Sequence, residues 1–153
     1  MAWNLLWLGH TDVHVLRGGI AAWRKGAERV PPGPAARGDF TARAVPGLRV
    51  DARSLRNAPE NWALLDVRDP DEFTGADEGG GHLPGARNVP WTTLLDAPPD
   101  LPRDKPLVVY CSSGVRSALA WVALTDAGYD ARTYDGSWWE WASLYGAEAV
   151  SAP

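Results

Sequence analysis

The sequence has very little cysteine, and this limits how the fold can be held together. Among 153 residues there is a single cysteine, Cys111, so no internal disulfide can form. One free cysteine fits a reducing compartment, and we expect a cytoplasmic protein. The first residues contain neither a basic segment nor a long apolar run. We therefore predict no signal peptide and no membrane span.

Clusters of charge of one sign are also missing. The 15 basic and 19 acidic residues are scattered along the chain and give a net charge of −4, so there is no basic stripe to bind nucleic acid. Histidine, cysteine, aspartate and glutamate do not recur at the spacing of metal ligands. We expect no nucleic-acid partner, no membrane partner, no metal and no cofactor.

From residue 48 onward, short apolar runs alternate with helical patterns, which is typical of a parallel sheet covered by helices. The chain length suits one domain with a sizeable core. The predicted fold class is α/β, with a central parallel sheet of about five strands flanked by helices. The predicted strands are Leu48–Val50, Ala63–Val67, Ala86–Val89, Leu107–Tyr110 and Ala131–Tyr134.

Two helices are predicted next to these strands. Asp69 has the character of an N-cap, Pro70 suits the first turn, and Glu72 stands at the capping-box position. A second helix opens near Val115 and ends at Gly128, with Leu119, Val122 and Ala123 on one face.

The segment YCSSGVRS at 110–117 lies between a predicted strand and this second helix. Small polar residues and a glycine allow such a turn to wrap an anion. Backbone N–H groups, the positive end of the helix and Arg116 all favour the thiolate of Cys111. The sequence therefore indicates a nucleophile, although a lone cysteine can also be a small buried apolar residue.

Residues 31–47 are rich in proline, glycine and alanine and are predicted to be a linker. Before the linker, LGHTDVHVLRGGIAAW at 8–23 can be aligned with AGYDARTYDGSWWEW at 127–141. The alignment pairs Gly9 with Gly128, Gly18 with Gly136 and Trp23 with Trp141. Each copy is interpreted as a helix end, a glycine, a short strand, a glycine turn and a tryptophan-bearing helix.

Four segments in order resemble the rhodanese sulfurtransferases. They are LLDVRDPDEF at 64–73, GHLPGARNVPW at 81–91, YCSSGVRS at 110–117 and YDGSWWEW at 134–141. The resemblance implies a rhodanese-like three-layer domain. The last motif resembles the catalytic C-terminal domain of tandem thiosulfate or 3-mercaptopyruvate sulfurtransferases.

The tandem resemblance also gives a meaning to the internal repeat. It implies that residues 1–30 are a remnant of the end of an N-terminal rhodanese-like domain, that 31–47 is the linker, and that 48–150 is the catalytic domain. Loss of the rest of a first domain would expose apolar surface, so self-association as a homodimer is a further hypothesis.

The resemblance assigns site residues as well. Cys111 would take the outer sulfur of a small anionic donor, hold it as a persulfide, and pass it to cyanide, a thiol or a protein cysteine. Asp66 would hold the loops in place. The tryptophans are expected to pack against other side chains and to take no part in the chemistry. The predicted substrate-binding residues are Arg68, Ser112, Ser113, Gly114, Val115, Arg116 and Ser117. For Arg68 the alternative is an ion pair with Asp66, Asp69 or Glu72, and both roles could hold together.

Arg116 stands where the mercaptopyruvate enzymes usually have threonine, so the resemblance favours thiosulfate as the donor. Two other functions stay open. Phosphatases and arsenate reductases of the same fold need five residues between cysteine and arginine, whereas four lie between Cys111 and Arg116. A non-catalytic rhodanese-like module for binding or regulation is the other alternative.

Overall fold

The computed structural model describes residues 2–23, 33–34, 36–96 and 99–146. These residues form two compact units, Met1–Val45 and Pro46–Pro153. The first contains α1 (Ala2–Trp7) and α2 (Gly19–Ala22). The second contains α3 (Ala52–Asn57), a 3₁₀ turn (Pro59–Asn61), β1 (Ala63–Asp66), α4 (Pro70–Thr74), β2 (Arg87–Asn88), α5 (Trp91–Asp96), β3 (Leu107–Tyr110), α6 (Val115–Asp126), β4 (Ala131–Thr133) and α7 (Ser137–Tyr145).

The predicted α/β fold is confirmed, with four strands in the sheet. All pairings are parallel and the strand order is β2-β1-β3-β4. Asp66 at the end of β1 lies opposite Tyr110 at the end of β3. After β1 the chain forms β2 on one side of β1, and then β3 on the other side of β1. The carboxyl ends of β1 and β3 therefore form the switch point, where open α/β sheets bind ligands.

The sheet is buried on both faces. Leu64, Val108 and Tyr110 belong to a buried cluster that includes Leu55 of α3 and Trp138 of α7. Because side chains alternate along a strand, Leu65 and Val109 point to the opposite face. On that face α6 contacts β3 and β4, and α5 packs on α6. Three layers result, as predicted.

The predicted strand Leu48–Val50 is reduced to one bridge, between Arg49 and Thr133 beside β4. The cause is the helix that follows at once. Asp51 is the N-cap of α3 and accepts a hydrogen bond from the N–H of Ser54 at 2.8 Å. Since α3 begins at Ala52, the chain leaves the sheet edge after a single pairing.

Helix α6 spans the predicted region but buries a different face. Leu119 is partly exposed, whereas Ala120, Trp121 and Leu124 are buried. The indole Nε1 of Trp121 donates to the carbonyl oxygen of Ala131 at 2.8 Å. Burying the largest aromatic ring of the helix, with its one donor paired, decides how the helix is rotated.

The first unit differs from the predicted repeat in one respect. Residues 10–16 are described and contain no strand. Instead, the N–H groups of Arg43 and Val45 donate to the carbonyls of Leu8 and Trp7 at 2.8 and 2.7 Å. Part of the predicted linker thus lies against the end of α1. Within the predicted segments, the residues outside the described part are 1, 24–32, 35, 97–98 and 147–150.

Candidate functional site

Cys111 directly follows β3 and is 1% exposed. The chain turns through residues 112–114 and enters α6 at Val115. The turn requires glycine at position 114, where φ is +91° and an added Cβ would lie 2.7 Å from the carbonyl oxygen of Asp135. Since both the dihedral angle and the close approach exclude a side chain, Gly114 fixes the shape of the turn.

Donors from this turn surround the sulfur of Cys111. The N–H of Gly114 lies 3.2 Å from Sγ. Burial acts to raise the pKa of the thiol, but the backbone N–H groups of Ser117, Ser113 and Gly114, together with the Ser117 hydroxyl, outweigh it, so the pKa is lowered from its usual 9.0. The turn therefore stabilises a negative charge on sulfur.

Helix α7 binds the carbonyl side of the same turn. The N–H of Trp138 donates to the carbonyl of Cys111 at 3.0 Å, and the N–H of Trp139 donates to that of Ser112 at 3.1 Å. The first N–H groups of a helix lack partners within it. Here they hold the peptide oxygens of the turn, which leaves the N–H groups of the turn free to face the sulfur.

Ser137 begins α7 and was not predicted as a site residue. It is fully buried, and its hydroxyl accepts from the N–H of Cys111 at 3.2 Å and donates to the carbonyl of Tyr134 at 3.0 Å. Its φ of +57° is unusual for a residue other than glycine. A serine directly after Gly136 at a strand-to-helix turn was the available sequence signal, but its contact with Cys111 depends on the tertiary fold.

Arg116, Ser112 and Glu72 form a hydrogen-bonded cluster beside the turn. Nη1 and Nη2 of Arg116 donate to the two carboxylate oxygens of Glu72 at 2.6 and 2.7 Å. Nη2 also contacts the Ser112 hydroxyl at 2.7 Å, and that hydroxyl donates to Glu72 at 2.9 Å. Glu72 was predicted to complete a capping box, which is present as well, and it was one of three alternative ion-pair partners for Arg68.

The cluster fixes the charge state of Glu72. Hydrogen bonds from Arg116, above all, lower the pKa of Glu72 from 4.5 to about 2. A carboxyl group with a lowered pKa contributes stability above its ordinary value, and that contribution is lost as pH falls through the lowered one. The cluster is therefore intact at neutral pH, and its contribution to stability declines below about pH 4.5 and is lost as pH falls through about 2.

Arg68 is not brought into this cluster. It is 1% exposed, and its guanidinium binds both carboxylate oxygens of Asp66, with Nη2 to Oδ2 at 2.6 Å. It also donates to the carbonyl of Gly81 and lies 5.2 Å from the centre of the Trp138 ring. This buried guanidinium therefore contacts the Asp66 carboxylate, the Gly81 carbonyl and the Trp138 ring. The ion pair with Asp66, which was one of the predicted alternatives for Arg68, is thus present and buried, and the contact of Arg68 with a substrate stays a prediction.

The remaining predicted site residues differ in exposure. Ser113 and Val115 are exposed, Ser112 and Gly114 are half-buried, and Ser117 is buried. Trp139 was expected to pack but is exposed next to Ser112, whereas Trp138 and Trp141 are buried.

Within residues 2–23, 33–34, 36–96 and 99–146, no cluster of three or more potential metal ligands occurs. The described helices include none that is long and apolar enough to cross a membrane.

Residues 51–144 match the family described as Rhodanese-like domain. The chain belongs to this family. This rhodanese chain is 31% identical to the sulfur carrier protein TtuD of Thermus thermophilus, over 94% of this chain and 63% of TtuD. It is also 31% identical to the thiosulfate sulfurtransferase of Corynebacterium glutamicum, over 93% of this chain and 58% of that protein.

Among solved structures, the 3-mercaptopyruvate sulfotransferase SseA from Escherichia coli matches the rhodanese chain with a TM-score of 0.67. The two are 29% identical over 90% of this chain and 60% of SseA. The chain thus spans about three-fifths of the length of the relatives it matches. The alignment with TtuD runs over 180 residues, more than the 153 of this chain, so TtuD contains residues within that span that this chain lacks.

The lowered pKa of Cys111 can be measured directly, because the chain has no other thiol. We expect the ultraviolet absorbance of the thiolate to appear below pH 9.0, the usual pKa. The same titration of Cys111→Ser gives the tyrosine background to subtract. A thiolate that appears only at or above the usual pKa would contradict the proposed role of the backbone donors.

Replacement of Ser137 separates its hydrogen bonds from its backbone strain. Ser137→Ala leaves the N–H of Cys111 unpaired and keeps a Cβ at positive φ, so we expect a loss of about 1–3 kcal/mol in the free energy of unfolding. Ser137→Gly loses the same bonds but relieves the strain, and we expect it to be about 1 kcal/mol more stable than Ser137→Ala. Chemical denaturation measures both. Ser143→Ala, at an exposed position of α7, is the control, and equal stability of all variants would contradict the assignment.

Proposed function

We propose that this rhodanese domain transfers sulfane sulfur through a persulfide on Cys111. The observation that carries the proposal is the environment of Sγ, where the N–H of Gly114 lies 3.2 Å away and hydrogen bonds from Ser117, Ser113 and Gly114 lower the pKa of the thiol despite its burial. Thiolate, persulfide and leaving group are all anions in such a reaction, so one set of fixed dipoles serves every step. The names of the relatives TtuD and the C. glutamicum enzyme support sulfur transfer as the reaction class.

The reaction is a pair of displacements at sulfur. The Cys111 thiolate attacks the outer sulfur of thiosulfate, the new Sγ–S bond forms, and the S–S bond of the donor breaks with its electron pair leaving on sulfite. A nucleophile such as cyanide or a thiolate then attacks the terminal sulfur of the persulfide. The Sγ–S bond breaks, and its electron pair restores the Cys111 thiolate. No external oxidant or reductant is required.

Thiosulfate is the donor that the charged groups support best, ahead of 3-mercaptopyruvate. A guanidinium can bind two oxygens of an oxyanion at once. Arg116 is the arginine beside the turn and is partly exposed, whereas Arg68 is enclosed by protein. We therefore assign donor binding to Arg116 and to the N–H groups of the turn, and we assign Arg68 and Asp66 to support of the loops.

The acceptor is proposed to be a thiol, either small or on a protein. Val115 and Trp139 are exposed on the two segments that form the turn and its anchor. Exposed apolar side chains next to a reactive group suit contact with a protein surface. The name of the relative TtuD, a sulfur carrier protein, agrees with delivery of sulfur to a partner.

The persulfide can be tested by mass. After incubation with thiosulfate, the intact protein should gain the mass of one sulfur atom, and cyanide should remove it. Cys111→Ser should gain nothing. If neither thiosulfate nor 3-mercaptopyruvate adds sulfur to the wild type, the non-catalytic binding module becomes the better interpretation. Release of phosphate or reduction of arsenate without sulfur uptake would favour the other alternative, a phosphatase or arsenate reductase of the same fold.

We also propose that residues 1–30 correspond to the end of a first rhodanese-like domain, joined by 31–47 to the catalytic domain at 48–150. The alignment of the two copies pairs Ile20 with Trp138 and Trp23 with Trp141. The two tryptophans of the second copy are buried, whereas Ile20 and Trp23 are exposed. Ile20 and Trp23 are thus exposed at a surface, although the tryptophans aligned with them in the second copy are buried in the core. Exposed apolar residues of this kind support association with a second apolar surface.

Light scattering after size-exclusion chromatography tests this association. We expect the mean mass of the full chain to rise towards that of a homodimer as concentration increases. Ile20→Ser should weaken the effect, whereas Leu144→Ser, at an exposed apolar position of the second unit, should not. A monomer at every concentration would contradict homodimer formation.

A further inference from the structure

We propose that Glu72 determines how readily an oxyanion sulfur donor such as thiosulfate reaches Arg116. The inference rests on the proposed function and deepens it. In the structure Glu72 occupies the same edge of the guanidinium that a two-oxygen donor would use. Glu72 thus acts as an internal competitor of the donor.

The geometry of this ion pair is that of ligand recognition. The two terminal nitrogens of Arg116 each donate to one oxygen of Glu72, at 2.6 and 2.7 Å. This parallel pair of bonds is the arrangement in which arginine binds carboxylates and other oxyanions. A donor that seeks the same two N–H groups must first take them from Glu72.

The carboxylate is held in place from both sides. From α4, the N–H of Asp69 donates to Glu72 at 3.2 Å and completes the capping box. From the turn, the Ser112 hydroxyl donates to the other oxygen at 2.9 Å. Arg116 therefore faces a fixed acceptor, which links α4 to the start of α6 across 44 positions of sequence.

The negative charges beside Arg116 also weaken its attraction for an anionic donor. Glu72 is ionised at neutral pH, since its pKa is lowered to about 2, chiefly by hydrogen bonds from Arg116. Asp69 adds a second carboxylate 3.7 Å from Arg116. Arg116 therefore contributes little net positive charge towards a dianion while this pairing persists.

An exposed ion pair often has little effect, but this one differs in three respects. The side chains of Arg116 and Glu72 are 27% and 23% exposed, the contact has two parallel bonds, and Ser112 shares both partners. Donor binding at Arg116 therefore includes the free-energy cost of opening this ion pair. Loss of the pair should lower KM and leave kcat nearly unchanged.

The experiment measures transfer from thiosulfate to cyanide in the full chain, with three variants compared with the wild type. Glu72→Gln removes the charge and keeps an oxygen for the capping box. Glu72→Asp keeps the charge but is too short for both contacts. Asp71→Asn removes the same charge from an exposed position on α4. We expect KM to fall about three- to tenfold in Glu72→Gln, and by less in Glu72→Asp, with kcat changed by less than about twofold.

The outcomes are distinguishable from failure of the proposed function. Wild type that takes up no sulfur from thiosulfate contradicts the function itself. Wild type that turns over, with KM unchanged or raised in both Glu72 variants, overturns the competition. A fall in Glu72→Gln alone, or an equal fall in Asp71→Asn, would show simple charge repulsion and also overturn it. A fall in both Glu72 variants with Asp71→Asn unchanged supports it.

Discussion

The structure depends on the contact between the start of α7 and the turn after β3. A peptide group that turns its N–H towards an anion must turn its carbonyl away, and a buried carbonyl needs a donor. Helix α7 supplies those donors from Trp138 and Trp139, and Ser137 accepts the N–H of Cys111 itself. The polarity of the turn is therefore set by a segment that lies 26 residues further along the chain. The unusual φ of Ser137 accompanies this contact.

A second set of contacts joins this anchor to the other side of the switch point. The ring of Trp138 lies against the guanidinium of Arg68, and its indole nitrogen donates to the carbonyl of Gly79 at 2.8 Å. Arg68 is in turn bound to Asp66, whose carboxylate is fully buried. A buried pair is costly to form and more costly to break. These contacts together hold the segment around Gly79 and the end of β1 beside the turn after β3.

The two arginines of the resemblance therefore have different environments. Arg68 follows β1 directly and is drawn under the loops by Asp66, two residues before it. Arg116 lies in the first turn of α6, and its side chain donates hydrogen bonds to Glu72 of α4. The same type of side chain thus has two different surroundings, with Arg68 buried beside Asp66 and Arg116 partly exposed beside Glu72. The difference arises from the distance of each residue from the sheet edge.

Much of this protein follows from local sequence. The strand Leu107–Tyr110 is apolar throughout, and the capping box at Asp69 needs only neighbouring residues, so both were predictable. The turn around Cys111 was also predictable, because it joins an apolar strand to a helical pattern and Gly114 can adopt the left-handed conformation found there. The strand expected at Leu48–Val50 was not realised, since Asp51 begins a helix at once. The tertiary structure alone decided the roles of Glu72, Ser137 and Arg68. Their partners lie far away in sequence, or their burial depends on packed layers, and no local pattern records which distant groups meet at one sheet edge.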